Sequence, residues 1–254
     1  MAYNKVFIGN WKVSPKTEKE VEKLLKSIKS IKHPTNNLIT ICPSFVHLSI
    51  AADLLSRSRV VLGAQDVSAY GGTANTGEVS AEMLEDFGVS FVIVGHSERK
   101  AMGESNEKIL RKIKSALSHK ITPIVCIGEH EKATDGSALR EINEQMVSLY
   151  ENLTEREAKQ TMIAYEPIWA IGDEAVSTPT PHEIHETVLF IRKIINEMYN
   201  RSMAFSIKIL YGGSVNETNA KELFVNSDIN GFIIGRASTD PSKLSEIIKQ
   251  VNSK

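Results

Sequence analysis

A strand-like run, Met162-Ile163-Ala164-Tyr165, delivers one carboxylate, Glu166, and Pro167 ends the run at once. Proline has no N–H for a sheet ladder, and it fixes φ. The loop beyond carries Trp169 and Ile171 and reaches Gly172. A carboxylate at a strand end, beneath an apolar loop, has the layout of a general base in a site that closes to water. The alternative is a surface Glu beside a turn. The first apolar run ends Gly9-Asn10-Trp11-Lys12. Residues two apart on a strand share a face, so Asn10 and Lys12 present an amide and an ammonium together. That pair suits an anionic substrate, or else Lys12 snorkels at a rim. A further run ends Val94-Gly95-His96-Ser97-Glu98-Arg99. His96 is there either as an acid/base or hydrogen-bond donor, or as a side chain satisfied by the next helix.

Two more run ends are rich in small residues: Tyr211-Gly212-Gly213-Ser214 and Ile233-Ile234-Gly235-Arg236. Small residues let backbone N–H groups approach an anion, and a helix N-terminus adds a favourable dipole. A Gly-Gly pair serves a tight turn equally well. No Gly-x-Ser-x-Gly elbow is present, and neither Cys42 nor Cys126 has a His close in sequence, so no nucleophile stands out. His182 and His185 lack the companions a metal centre needs. One base, one neutral donor and one cation suit proton abstraction next to a carbonyl, with stabilisation of the enediolate that forms.

These residues need a frame that gathers strand ends. Runs rich in Val, Ile and Leu begin near Val6, Leu38, Val60, Ser90, Thr122, Thr161, Ile207 and Gly231. They are nearly continuous in apolar residues, as in strands covered on both faces. Helical spacing fills the intervals: Val21, Leu24, Leu25, Ile28 and Ile31 share one face, as do Ile109, Leu110, Ile113, Ala116 and Leu117, and Ile184, Val188, Ile191 and Ile195. Eight such units in 254 residues predict an α/β chain closed into a (β/α)₈ barrel, one domain over 1–254. An open doubly wound sheet is the alternative. In such barrels the loops after strands seven and eight commonly hold phosphate.

Composition sets the outer bounds. Lys plus Arg is 30 and Asp plus Glu is 31, so no global charge favours nucleic acid or a membrane surface. The first helix carries Lys16, Lys19, Lys23, Lys26 and Lys29, but Glu18, Glu20 and Glu22 interleave and make it a solvated face. Cys42 and Cys126 sit inside apolar runs and read as reduced, buried thiols. No run reaches transmembrane length and no signal-peptide core opens the chain, so a cytoplasmic protein is expected.

Gly9-Asn10-Trp11-Lys12, Gly95-His96-Ser97-Glu98-Arg99, Tyr165-Glu166-Pro167-Ile168-Trp169-Ala170-Ile171-Gly172 and Tyr211-Gly212-Gly213-Ser214 closely resemble the triosephosphate isomerase family, in its order and at its spacing. The resemblance implies interconversion of dihydroxyacetone phosphate and glyceraldehyde 3-phosphate without cofactor or metal. It implies Glu166 as the base, His96 as a neutral imidazole polarising the carbonyl, Lys12 neutralising substrate charge and Asn10 orienting it. Glu98 becomes a rim carboxylate near Lys12, and Tyr211 a supporting residue. Backbone N–H groups of Gly172, Ser214, Gly235 and Arg236 would hold the phosphate, under a lid over 168–176. The family is usually homodimeric, and the loop 65–78 would carry Thr76 toward the partner's site.

Three departures accompany the resemblance. Asp173 and Glu174 stand in the lid where the family usually has Thr-Gly, Gly235-Arg236 replaces Gly-Gly, and the stretch from His96 to Glu104 is one residue short, with Met102 where an aromatic is common. Two carboxylates beside a dianion weaken binding unless a cation offsets them; either Arg236 does so when the lid closes, or it points to solvent and only its N–H matters. The rival readings are another phosphate-binding barrel, such as a phosphoribosyl isomerase or a Schiff-base aldolase using Lys208, and a degenerate barrel kept as a scaffold.

Overall fold

Eight short strands begin within one residue of the apolar runs: β1 (Lys5–Asn10), β2 (Asn37–Cys42), β3 (Val60–Ala64), β4 (Phe91–Val94), β5 (Thr122–Ile127), β6 (Met162–Tyr165), β7 (Lys208–Tyr211) and β8 (Gly231–Ile234). The computed structural model describes residues 3–133, 135–171 and 177–253. Every neighbouring pair is parallel, and β1 pairs with both β2 and β8. The sheet therefore closes in sequence order. That closure selects the (β/α)₈ barrel over the open doubly wound sheet.

The helices form where the spacing predicts them. Thr17 caps Glu18–Lys29 in a reciprocal box with Glu20, and Val21, Leu24, Leu25 and Ile28 are buried. Asn106–Ser118 buries Ile109, Ile113 and Ala116, and also Lys112. Pro181–Met198 has proline in its first turn, with Thr180 and Glu183 forming its capping box. Among the described residues no helix is long and apolar enough to cross a membrane.

Strand alternation divides the core in two. Val6, Ile8, Leu38, Cys42, Phe91, Ile93, Ile124, Cys126, Met162, Ala164, Leu210 and Ile233 form one buried cluster. These are alternate residues of their strands, so they fill the barrel interior. The intervening residues, such as Phe7, Ile39, Val92, Val125 and Ile163, pack outward with the helical faces. Continuing the inward alternation past the strand ends brings Asn10 after Ile8, Gly128 after Cys126, Glu166 after Ala164, Gly212 after Leu210 and Gly235 after Ile233. The barrel thus gathers these positions at one mouth.

Candidate active site

A cleft of about 840 Å³ opens at that mouth, lined among others by Asn10, Lys12, His96, Glu98, Glu166, Ser214, Gly235 and Arg236. Residues far apart in sequence meet there because all of them follow strand ends. Lys208, the one candidate for a Schiff-base lysine, opens β7 and so lies at the other end of the barrel, away from the cleft.

Glu166 is 2% exposed. Its N–H donates to Ile127 O at 2.7 Å, and Tyr165 O accepts from Gly212 N at 2.8 Å, so strands on both sides grip its backbone. Its Oε2 accepts from Ser97 N at 3.4 Å, and its Oε1 lies 3.6 Å from His96 Nε2. A Cβ on Gly212 would stand 2.7 Å from Glu166 Cγ. Glycine at that position is what leaves room for the carboxylate.

His96 follows Gly95, whose φ of 68° ends the strand alternation and turns the imidazole toward the cleft. His96 Nδ1 accepts the Glu98 N–H at 3.2 Å. An accepting Nδ1 puts the ring proton of the neutral imidazole on Nε2, the nitrogen facing Glu166. The stretch Ser97–Ala101 begins a short helix with His96 as its cap, so the next helix satisfies Nδ1 while Nε2 still faces Glu166.

Lys12 has a φ of 52°, a left-handed backbone that costs a non-glycine residue about 1–2 kcal/mol. Four contacts hold it there. Its N–H donates to Asn10 Oδ1 at 3.1 Å, its carbonyl accepts from Ser44 Oγ at 2.7 Å and Gln65 Nε2 at 2.8 Å, and Nζ meets Glu98 Oε1 at 2.5 Å. The Lys12–Glu98 pair is at the rim, with Glu98 more than half exposed. Such a pair is weak in water, so an incoming anion can compete for the ammonium.

The opposite side of the cleft is built from β7 and β8. Among the described residues, the Ser214 and Gly235 N–H groups have no hydrogen-bond partner in the protein. A Cβ on Gly235 would meet nothing within 4 Å, so its backbone faces open space. Arg236 is exposed and starts the turn Arg236–Thr239. Tyr211 is buried below, and Gly213 passes so close that a Cβ there would lie 2.1 Å from the Tyr211 hydroxyl. Gly172, Asp173 and Glu174, and with them most of the expected lid, lie outside the described residues, so the expected pairing of Arg236 with those acids does too. Thr76 is exposed on its loop and does not line the cleft.

The sequence reading passed over the end of β5. There Glu129 is buried and accepts from Tyr165 OH at 3.0 Å and from Trp169 Nε1 at 2.7 Å. Burial pushes its carboxyl above the usual range, against the two hydrogen bonds. Ser97 was missed as well, although it directly follows His96. Asking of the fifth strand what was asked of the others would have found Gly128-Glu129. Burial also raises both cysteine thiols, which keeps them protonated and poor nucleophiles. Among the described residues no group of three or more His, Cys, Asp and Glu side chains could hold a metal ion.

The comparisons with known proteins agree on one family. The family model described as triosephosphate isomerase matches residues 5–251. A triosephosphate isomerase of Aquifex aeolicus is 40% identical over 247 residues, covering 96% of this chain and 98% of the relative. That of Endomicrobium trichonymphae is 41% identical over 244 residues, covering 95% and 96%. That of Dictyoglomus turgidum is 37% identical over 248 residues, covering 96% and 98%. The chain belongs to the triosephosphate isomerase family.

Proposed function

We propose that this chain interconverts dihydroxyacetone phosphate and D-glyceraldehyde 3-phosphate by proton transfer through an enediolate, with no cofactor and no metal. The observation that carries the reading is a buried carboxylate, Glu166, 3.6 Å from His96 Nε2, in a cleft whose far side offers backbone donors. Glu166 takes the proton from the carbon next to the carbonyl. The electron pair moves to the carbonyl oxygen, which the His96 Nε2–H polarises. The hydroxyl proton on the adjoining oxygen passes to that carbonyl oxygen by way of His96 Nε2, and as the new carbonyl forms Glu166 delivers its proton to the original carbonyl carbon. Lys12 offsets the charge of the substrate and of the enediolate, and Asn10 orients the substrate while bracing the Lys12 backbone. Glu98 holds the ammonium until substrate competes for it. The phosphate rests on the N–H groups of Ser214, Gly235, Arg236 and Gly172, with Tyr211 supporting the turn above it. A lid over 168–176 excludes water and prevents loss of phosphate from the intermediate. Its first turn, Ile168–Ala170, is anchored by Ile168 N to Glu129 O at 2.9 Å.

The molecule acts as one domain over 1–254 and as a homodimer. Pairing of β1 with β8 joins the two ends of the chain in one sheet, which supports the single domain. Thr76, exposed and outside its own cleft, suits a contact with the partner's Asn10 and His96. A cytoplasmic location fits a small phosphorylated substrate.

A coupled isomerase assay tests the reading. Glu166→Asp withdraws the carboxylate by one methylene, and kcat is expected to fall about 10²-fold. A wild type inactive on both triose phosphates, or a Glu166→Asp enzyme as fast as wild type, overturns it.

A further inference from the structure

The base-bearing segment does not position itself. The end of β5 runs alongside it as a template: Ile127 O accepts the Glu166 N–H at 2.7 Å and Glu129 O accepts the Ile168 N–H at 2.9 Å. Between them, Gly128 is pressed so close that a Cβ there would lie 1.8 Å from Glu166 O. Any shift of Cys126, Gly128 or Glu129 is therefore transmitted to the Glu166 backbone.

Two side chains outside the cleft fix that template. Gln145, on the helix Ser137–Tyr150, accepts the Gly128 N–H on Oε1 at 3.1 Å and donates Nε2 to Gly128 O at 2.8 Å. Its amide thus continues the ladder where the strand has ended. Lys100, on Ser97–Ala101, donates Nζ to Gln145 Oε1 at 2.8 Å and to Cys126 O at 3.1 Å. One ammonium therefore polarises the Gln145 amide, holds the strand end directly and links it to the helix that follows His96. Burial lowers the Lys100 pKa, and the carboxylates of Glu166, Glu141 and Glu104 oppose that effect. Those acids favour a charged Lys100, and its two acceptor oxygens require a donor.

We propose that Lys100 is a positioning residue for the Glu166 base, acting through Gln145 and the Cys126–Gly128 backbone. It does not line the cleft, and it touches neither substrate nor reacting atoms. Its role is to hold Glu166 at the height and angle that proton transfer needs, and to keep the Ser97–Ala101 helix, with His96 at its head, in register with β5. The inference rests on Glu166 being the base.

The test compares Lys100→Met and Lys100→Arg with wild type, in steady-state kinetics with each triose phosphate, on protein shown folded by circular dichroism and thermal melting. A misplaced base slows chemistry more than binding, so Lys100→Met is expected to lower kcat about tenfold or more with KM within about twofold. Lys100→Arg keeps the charge and the donors, and is expected to retain kcat within about threefold. The idea fails if Lys100→Met keeps kcat within threefold, if KM rises in step with the loss, or if the arginine is no better than the methionine. Should Lys100→Met not fold, Gln145→Met leaves the ammonium in place and cuts its link to Gly128. It carries the same expectation and the same refutation. An inactive wild type overturns this inference together with the proposed function, whereas an active wild type with an unimpaired Lys100→Met overturns this inference alone.

Discussion

Gly212 and Glu166 determine one another. The glycine's Cα lies where any side chain would reach the Glu166 carboxylate, with a Cβ 2.7 Å from Cγ and 3.0 Å from Oε1. Glu166 is long and jointed, so an added methyl displaces the carboxylate rather than the barrel. Gly212→Ala is therefore expected to change stability by less than about 1 kcal/mol and to lower kcat about tenfold to hundredfold. Melting curves and steady-state rates on one preparation check both halves, and a full-speed Gly212→Ala would mean that the observed carboxylate position is not the working one. At this scale the sequence was partly legible. Asn10, Lys12, His96 and Glu166 could be read because each ends an apolar run and carries a group with obvious chemistry. Gly212 was visible only as a turn or phosphate residue, since its contact with Glu166 exists only once β6 and β7 are paired. Ser97, Gln145 and Lys100 were not legible for the same reason. Ser97 acts through its own N–H, and Gln145 and Lys100 meet backbone groups at and beyond the end of β5; backbone groups leave no trace in residue type.

At the scale of elements, the end of β5 does more than close the barrel. Glu129 collects Tyr165 from β6 and Trp169 from the turn that begins the expected lid, while its second oxygen has no partner among the described residues. Burial raises its pKa in the folded state, so the native protein binds more protons than the unfolded chain between the ordinary carboxylate value and the raised one. The contribution of Glu129 to stability is then greatest below the ordinary value and declines as pH rises through the raised one. Glu129→Gln keeps an acceptor for Tyr165 and Trp169 and removes the titration. Its melting temperature relative to wild type is expected to improve as pH rises above the ordinary carboxylate value, and a pH-independent difference would refute the assignment. Helix and strand placement came readily from spacing because the apolar faces repeat without interruption. The exception is Lys112, a charged residue inside the buried face of Asn106–Ser118. Spacing alone would turn it to solvent, but Asp66 at 2.6 Å and the neighbouring Glu104 give its ammonium partners inside the protein.

On the scale of the whole molecule, several large apolar side chains are exposed on the loops of the barrel mouth. Val13, Val46 and Met102 are each more than three-quarters or about three-quarters exposed, and Phe45 and Tyr70 are partly so. They lie on the loops after the first four strands. Those loops are tied together, since Ser44 and Gln65 both bond the Lys12 carbonyl and Arg99 pairs with Asp66 at 3.2 Å. Exposed apolar side chains on loops tied together in this way suit an interaction surface, and self-association through them would bring the exposed loop 65–78 to a second copy. The same loops carry the strained Lys12 backbone, so covering these side chains stiffens the ammonium's support. Light scattering is expected to give twice the 28.1 kDa chain mass for wild type. Val46→Asp sets a charge at the most exposed of these apolar side chains, and an unpaired buried charge costs several kcal/mol, enough to shift the protein to monomers at micromolar concentration. Those monomers should remain folded barrels with kcat lowered about tenfold or more, because Lys12 and the neighbouring loops lose their brace. A monomeric Val46→Asp with wild-type kcat would show that each cleft is complete in its own chain and that Thr76 contributes nothing across the interface.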